Sequence, residues 1–222
     1  MRGYALTSLL VGLAALSSSA RAQTEMLEPP TNHYFTRQGS WGQKYADQWG
    51  LHRIGFDGSP QSAWRLVKRS SAPVVVAIID TGLDWNHKNI DWESLWRNPQ
   101  STGPGQPGHA QDVIGRDFLD RDNKPWDYDG HGTFIAGLIA GSWNDKTGIA
   151  GINPFARLMT LKAINNFGHT RASYIAEAIT YAADHGARVI NLSVGGKQIT
   201  KIEQVAIDYA VAKGVVIDRR RE

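Results

Sequence analysis

Residues 74–79 form an uninterrupted apolar run, Val-Val-Val-Ala-Ile-Ile, which ends directly before Asp80. A run without polar alternation predicts a β-strand that is buried on both faces, as in a parallel sheet. Similar runs at 158–164, 188–193 and 214–217 predict three further strands. A chain with such strands must cover both faces of its sheet with other elements, and this requirement constrains the fold more than its composition does.

Helical segments are expected between the strands. Residues 132–140 are almost entirely apolar, and residues 172–185 carry apolar side chains at helical spacing before Gly186, a residue type that often ends helices. Residues 201–213 repeat this arrangement before Gly214. Strands that alternate with helices of this length predict an α/β fold with a doubly wound, mostly parallel sheet.

The 222 residues, of which 41% are hydrophobic, are enough for one sizeable α/β domain. Residues 1–22 have the pattern of a secretory signal peptide, because a basic start and a short apolar run lead to Ala-Arg-Ala. That run is too short to span a bilayer, so a secreted protein without a membrane anchor is expected. Residues 23–44 are interpreted as a flexible mature N-terminus and residues 45–222 as the globular domain.

The net charge of +3 comes from the two ends of the chain. Without Arg2, Arg21 and residues 218–222, basic and acidic residues are equal in number. A neutral body lacks the basic surface that nucleic-acid binding requires, so nucleic acid is not an expected partner. The chain has no cysteine, and core packing together with bound Ca²⁺ is then the expected source of stability outside the cell.

Two residues with catalytic potential stand at the ends of predicted elements. Asp80 follows the first strand, and functional groups of open α/β sheets gather beyond such carboxyl ends. His131 stands between two glycines at the start of the apolar helix, where the backbone leaves room for a substrate. An Asp–His pair can supply the orienting group and the general base for a hydroxyl nucleophile. Each residue alone is equally typical of helix capping or packing.

Three segments together resemble the subtilase family of serine proteases. The sequence VVAIIDTG at 75–82 resembles the family's Asp block, DGHGTFIAG at 129–137 its His block, and VINLSVGG at 189–196 its substrate-binding strand. All three occur in the family's order. Residues 47–51 and 63–64 are similar to the mature N-terminus of many subtilases.

The resemblance implies a subtilisin-like fold and a secreted serine endopeptidase that acts on proteins or peptides. It implies that Asp80 and His131 are two members of an Asp-His-Ser triad, which needs no cofactor for catalysis. The full-length form is expected to be a monomer. The backbone that would lie along a bound peptide and help to form the first specificity pocket belongs to four residues, Ser193, Val194, Gly195 and Gly196.

The third triad block of the family does not occur in these 222 residues. There is no Gly-Thr-Ser-x-Ala sequence and no Ala-rich Gly-Asn stretch that would carry the oxyanion-hole Asn. The strand expected at 214–217 runs instead into the charged residues 218–222. The resemblance therefore implies a peptidase domain that is truncated at its C-terminal end and inactive as it stands. A non-catalytic pseudo-protease or peptide-binding module is the alternative.

A structural Ca²⁺ site is expected in the acidic stretch that precedes the His block, because Ca²⁺ prefers oxygen ligands. A solvated acidic loop fits the same residues equally well. The carboxylates of the predicted site are those of Asp117, Asp120, Asp122, Asp127 and Asp129, with Asn123 among them.

Two other enzyme or binding classes fit less of the sequence. A hydrolytic Zn²⁺ or Mn²⁺ site could be built from Asp80, Asp84, His87 and His131, but the substrate-strand motif would then have no role. A nucleotide-binding protein would show a G-x-G-x-x-G or Walker sequence after a strand, and no predicted strand is followed by one.

Overall fold

A computed structural model of the chain describes residues 27–66, 73–101, 111–143, 146–194 and 199–219. Within these ranges five strands form one parallel sheet with the order β2-β3-β1-β4-β5. The strands are β1 (Val75–Asp80), β2 (Gly115–Asp117), β3 (Arg157–Lys162), β4 (Val189–Leu192) and β5 (Val216–Arg219). The doubly wound α/β fold predicted from the sequence is confirmed.

Helices lie on both faces of the sheet. Val76 and Ile78 of β1 pack in the core cluster on the α3 side, whereas the alternate residues Ala77 and Ile79 pack in the cluster on the α4 side. The α-helices are α1 (His33–Thr36), α2 (Trp49–Arg53), α3 (His131–Ala140), α4 (Ala172–Asp184) and α5 (Lys201–Ala212), and short 3₁₀-helices lie at Ala63–Leu66 and Trp92–Ser94. None of the helices in the described ranges has the length and apolar character needed to cross a membrane.

β1 is the central strand, with β3 on one side and β4 on the other. After β1 the chain first builds β2 and β3 on one side and then crosses to build β4 and β5 on the other. This change of direction is a topological switch point, where parallel sheets open a crevice beyond the carboxyl ends of their strands. Asp80, the last residue of β1, lies at that crevice.

The N-terminal segment differs from the flexible tail that its polar composition predicts. Asn32 is fully buried, and Phe35 packs against Trp64 with ring centroids 5.4 Å apart. The Asn32 Nδ2 lies within hydrogen-bonding distance of three backbone carbonyls, those of Ser142 (2.8 Å), Thr147 (3.0 Å) and Ile149 (3.2 Å), and its two hydrogens are shared among them. Asn32 and Phe35 therefore anchor this part of the N-terminal segment to the domain. The sequence did not predict this anchoring, because single buried residues in a polar segment have no periodic pattern. The predicted signal peptide at 1–22 lies outside the described residues.

The three-residue strand β2 was not predicted from the sequence, because so short a strand shows no period. It pairs with β3, with Gly115 opposite Thr160. A Cβ at Gly115 would collide with the Thr160 backbone, so glycine is required for this pairing. β2 places Asp117 at the same edge of the sheet as Asp80.

The central position of β1 leads to a first prediction. Ile79 is completely buried, and replacing it with Ala should lower the free energy of unfolding by about 2–5 kcal/mol through lost burial and a residual cavity. Ile202 on α5 is 51% exposed, and Ile202→Ala should change that free energy by no more than about 0.5 kcal/mol. Urea denaturation of both variants measures the difference. Equal losses would show that β1 is not the centre of the core.

Candidate active site

Asp80 is almost completely buried, with 1% of its surface exposed. Its Oδ1 accepts a hydrogen bond from the backbone N–H of Thr81 at 2.7 Å. Its Oδ2 is also buried and has no hydrogen-bond partner among the residues that the structure describes. Burying a carboxylate oxygen without a partner is costly, so its position at the crevice points to a functional role.

His131 is the first residue of α3, and its ring faces Asp80. The distance from His131 Nδ1 to Asp80 Oδ1 is 2.7 Å, which fits a charge-assisted hydrogen bond. The His131 side chain is 49% exposed. When Nδ1 carries the proton of this hydrogen bond, Nε2 is left as an acceptor on the imidazole. The fold thus brings together two residues that are 51 positions apart in the sequence.

The first turn of α3 is capped by side chains. The first backbone N–H groups of a helix have no partner within the helix and need one elsewhere. Side-chain oxygens accept hydrogen bonds from three of these N–H groups: His131 N donates to Asp129 Oδ1 (3.1 Å), Gly132 N to Thr81 Oγ1 (2.9 Å) and Thr133 N to Asp127 Oδ2 (2.9 Å). Because Thr81 directly follows Asp80, the second of these bonds joins the start of α3 to the end of β1.

Two glycines let the end of β1 and the start of α3 meet. A Cβ on Gly132 would collide with the backbone of Gly82. Gly82 has φ +122°, a conformation that residues with a Cβ rarely adopt. Gly132 is therefore required for packing, whereas its place beside His131 had suggested a role in substrate access.

The segment predicted to bind peptide begins at the end of β4. β4 pairs in parallel with β1, so Ser193 follows it at the same edge as Asp80. Ser193 and Val194 are partly buried, and Val194 packs against the main core cluster. Gly195 and Gly196 lie outside the described residues. Peptide binding by these four residues stays a prediction.

Four of the five acids predicted as one calcium site accept hydrogen bonds from nearby backbone N–H groups. These carboxylates, of Asp117, Asp122, Asp127 and Asp129, shape turns and the start of α3. In the described ranges no group of three or more His, Asp or Glu side chains is arranged to hold a metal ion, although Asn and backbone carbonyl oxygens also serve as Ca²⁺ ligands. A common Ca²⁺ site at Asp117, Asp120, Asp122, Asp127 and Asp129 stays a prediction.

The alternative hydrolytic metal site would be built from Asp80, Asp84, His87 and His131. Among the described residues these side chains form no group that could hold a metal ion. His87 Nδ1 lies 3.2 Å from the backbone N of Asn89 and accepts its hydrogen bond. The Asp80–His131 pair thus stands without a third metal-ligating side chain from this set.

Asp117 and Asp127 are both buried, but their surroundings shift their pKa values in opposite directions. Burial raises the pKa of the Asp117 carboxyl, although backbone hydrogen bonds and the Lys162 ammonium, 3.5 Å away, oppose this effect. Burial also opposes ionisation of Asp127, but hydrogen bonds from backbone N–H groups and from Thr133 outweigh it and lower the pKa of Asp127. The fold therefore stabilises the ionised form of Asp127.

Sequence patterns did not single out three residues around the pair, Thr81, Thr133 and Lys162. Both threonines lie inside the motifs of Asp80 and His131, but their hydrogen bonds depend on the packing of strand against helix. Lys162 is 6% exposed and donates a hydrogen bond from Nζ to the carbonyl of Trp126 at 2.8 Å. A lysine inside the buried strand predicted at 158–164 was the available signal, because lysine is almost never buried without a partner.

The glycine contact gives a prediction with a matched control. Gly132→Ala should lower the free energy of unfolding by at least about 1–3 kcal/mol, because the new Cβ forces the backbones of Gly82 and α3 apart. Gly50 lies in α2 with open space around its Cβ position. Gly50→Ala should be neutral or stabilising by up to about 1 kcal/mol. Urea denaturation compares the two, and equal effects would contradict the close approach.

The opposite pKa shifts predict opposite effects of pH on stability. The lowered pKa of Asp127 stabilises the fold above the unfolded pKa of 3.8, and this contribution is lost as the pH falls through the folded pKa. The raised pKa of Asp117 stabilises the fold below 3.8, and this contribution is lost as the pH rises. Denaturation of Asp127→Asn, Asp117→Asn and the parent between about pH 3 and pH 6 tests this. The free energy of unfolding of the parent minus that of Asp127→Asn should increase with pH, whereas the same difference for Asp117→Asn should decrease. Differences that change with pH in the same direction would contradict the assignment.

Known proteins are similar to this chain in sequence. A thermophilic serine proteinase from Bacillus sp. (strain AK1) is 38% identical over 168 residues, which cover 73% of this chain and 37% of that protein. Thermitase from Thermoactinomyces vulgaris is 38% identical over 171 residues, which cover 77% of this chain and 52% of thermitase. The chain thus spans about half of the length of these relatives or less.

Solved structures agree with this relationship. Fervidolysin from Fervidobacterium pennivorans, a keratinolytic enzyme related to subtilisin, superposes with a TM-score of 0.58 at 26% identity, covering 86% of this chain and 28% of that one. A cold adapted subtilisin-like serine proteinase superposes with a TM-score of 0.53 at 26% identity, covering 76% and 54%. The sequence profile of the Subtilase family matches residues 71–217. The chain therefore belongs to the subtilase family of serine proteases.

Proposed function

We propose that the chain is part of a secreted serine endopeptidase that hydrolyses peptide bonds by an Asp-His-Ser triad. The observation that carries this proposal is the 2.7 Å contact between Asp80 Oδ1 and His131 Nδ1 at the carboxyl edge of the sheet. Family membership supplies the reaction class, and the half-exposed imidazole supplies access to a reacting group.

In this proposal His131 is the general base. The hydrogen bond to Asp80 holds the proton on Nδ1, so Nε2 can accept the proton of a serine hydroxyl as that oxygen attacks the peptide carbonyl. His131 then becomes positively charged, and the buried Asp80 carboxylate stabilises that charge across the hydrogen bond. The same proton is later given to the leaving amine. No metal or organic cofactor takes part in these steps.

The serine nucleophile must come from outside these residues, since no Gly-Thr-Ser-x-Ala sequence occurs in the chain. The length of the relatives supports a longer protein, because the chain spans only 37% and 52% of two of them. The chain by itself is then expected to bind a peptide but not to cleave it.

The substrate is proposed to be an extended segment of protein or peptide. Ser193 follows β4 at the same edge of the sheet as Asp80. The backbone groups of Ser193, Val194, Gly195 and Gly196 are proposed to pair with such a segment as an added strand. A relative from Natrialba magadii, 30% identical over 177 residues, is named an extracellular serine protease. Together with the signal-peptide pattern at 1–22, this supports export, and we propose a monomer without nucleic-acid partners or a membrane anchor.

The second candidate is a peptide-binding module without catalysis. It is favoured by one observation, the absence of the serine block from a chain that carries the substrate-strand motif. The two candidates predict different behaviour of the same residues towards a serine-directed reagent.

A fluorophosphonate probe, which labels activated serines, separates the candidates. We expect no labelling of the 222-residue chain. We expect labelling of the product of the coding sequence when it is extended by about 400 bases, a length that allows for the rest of a single domain. In that product His131→Ala should reduce the labelling rate by at least about 10³-fold, because the triad acts as a unit.

His169→Ala is the matched control, because His169 is an exposed histidine that is not a member of the Asp80–His131 pair. It should leave labelling unchanged. Labelling of the 222-residue chain alone would show that a nucleophile lies within it and would contradict the proposal. An extended product that binds peptide but is not labelled would favour the peptide-binding module.

A further inference from the structure

The carboxylate of Asp127 lies between the end of β1 and the start of α3. The side chain is buried, with 7% of the residue exposed. Its two oxygens accept five hydrogen bonds, from Thr81 Oγ1, Asp129 N, Gly130 N, Thr133 N and Thr133 Oγ1. Only an ionised carboxylate can accept all five, because an amide has one acceptor oxygen and a donor group in place of the other.

On the helix side, Asp127 fixes the residues around His131. Oδ2 accepts hydrogen bonds from the backbone N (2.9 Å) and the hydroxyl (2.6 Å) of Thr133, two residues after His131. Oδ1 accepts a hydrogen bond from the backbone N of Gly130, the residue before His131, at 2.9 Å. The negative charge also lies at the positive end of the helix, which stabilises the first turn of α3.

On the strand side, Asp127 acts through Thr81. The Thr81 hydroxyl donates to Asp127 Oδ1 at 2.9 Å and accepts a hydrogen bond from Gly132 N at the same distance. The backbone N of Thr81 donates to Asp80 Oδ1, the oxygen that contacts His131. Thr81, the neighbour of Asp80, is thus hydrogen-bonded to Gly132, the neighbour of His131. Asp127 orients the Thr81 hydroxyl that makes this hydrogen bond.

A second anchor holds Asp127 itself in place. The Lys162 ammonium donates to the carbonyl of Trp126, the residue before Asp127, at 2.8 Å. The backbone N of Leu83 donates to the carbonyl of Pro125 at 2.9 Å. The loop that carries Asp127 is therefore attached both to β3 and to the segment that follows Asp80.

We propose that Asp127 is a positioning residue, which acts through Thr81 and Thr133 to hold the imidazole of His131 in register with the carboxylate of Asp80. The proposal rests on the proposed function, in which that pair is the orienting group and the base. It assigns to Asp127 a role that the sequence motif of His131 does not reveal, since Asp127 lies outside the segment 129–137 and contacts neither reacting group of the pair directly.

NMR of the ¹⁵N-labelled 222-residue chain tests the proposal through the Nδ1-bound proton of His131, assigned by its loss in His131→Ala. We expect this proton to be observed in the parent. In Thr81→Val and in Asp127→Asn we expect its exchange with water to rise on the order of tenfold or more, the effect of losing one hydrogen bond to a charged group. Amide spectra show that each variant compared is folded.

Two controls make the test specific. Thr81→Ser keeps the hydroxyl, and Asp120→Asn removes an exposed acid of the same segment, so both should stay within about twofold of the parent, because neither removes a hydrogen bond to Asp127. If Asp127→Asn does not fold, the comparison of Thr81→Val with Thr81→Ser decides. A folded Thr81→Val with exchange like that of the parent, or a parent without the Nδ1 proton, would overturn the proposal. No serine is needed for this measurement, so failure of the peptidase function would show in fluorophosphonate labelling and not here.

Discussion

The site depends on one close contact, between the end of a buried strand and the start of a helix. Gly82 and Gly132 bring the two backbones together, and the hydrogen bond from Gly132 N to Thr81 Oγ1 fixes their spacing. Asp80 and His131 each stand next to this contact, so their side chains meet without any adjustment of a flexible loop. The precision of the pair therefore comes from backbone packing, which resists displacement because it leaves no free volume.

The elements with a strong pattern were predicted, and those without one were not. β1 and α3 are continuous apolar runs, α4 and α5 carry apolar side chains at helical spacing, and the bounds of all four agree with the expected segments within a residue or two. β2 is too short to show either pattern. The burial of Asn32 could not be predicted, because a polar side chain is buried only where partners meet it, and these partners lie more than a hundred residues away.

The acidic stretch shows why composition alone does not decide a calcium site. Carboxylates that coordinate a cation and carboxylates that cap backbone N–H groups have the same sequence signature, a cluster of Asp among small and polar residues. In the structure Asp127 faces the N–H groups at the start of α3, and Asp122 faces the N–H of Lys124. The Asp80–His131 pair was predictable for the opposite reason, because its residues stand at element ends that the fold is bound to bring to one edge.

The anchoring of Asn32 near the end of α3 has a consequence for His131, which lies at the start of that helix. Its amide binds the backbone around the end of α3, at Ser142, Thr147 and Ile149, while His131 lies at the start of the same helix. A ten-residue helix is about 15 Å long and behaves as a stiff rod on this scale. Both ends of the helix are anchored by hydrogen bonds, one to the sheet and one to the N-terminal segment. The position of the imidazole at the start of α3 therefore depends in part on how the N-terminal segment holds the end of that helix.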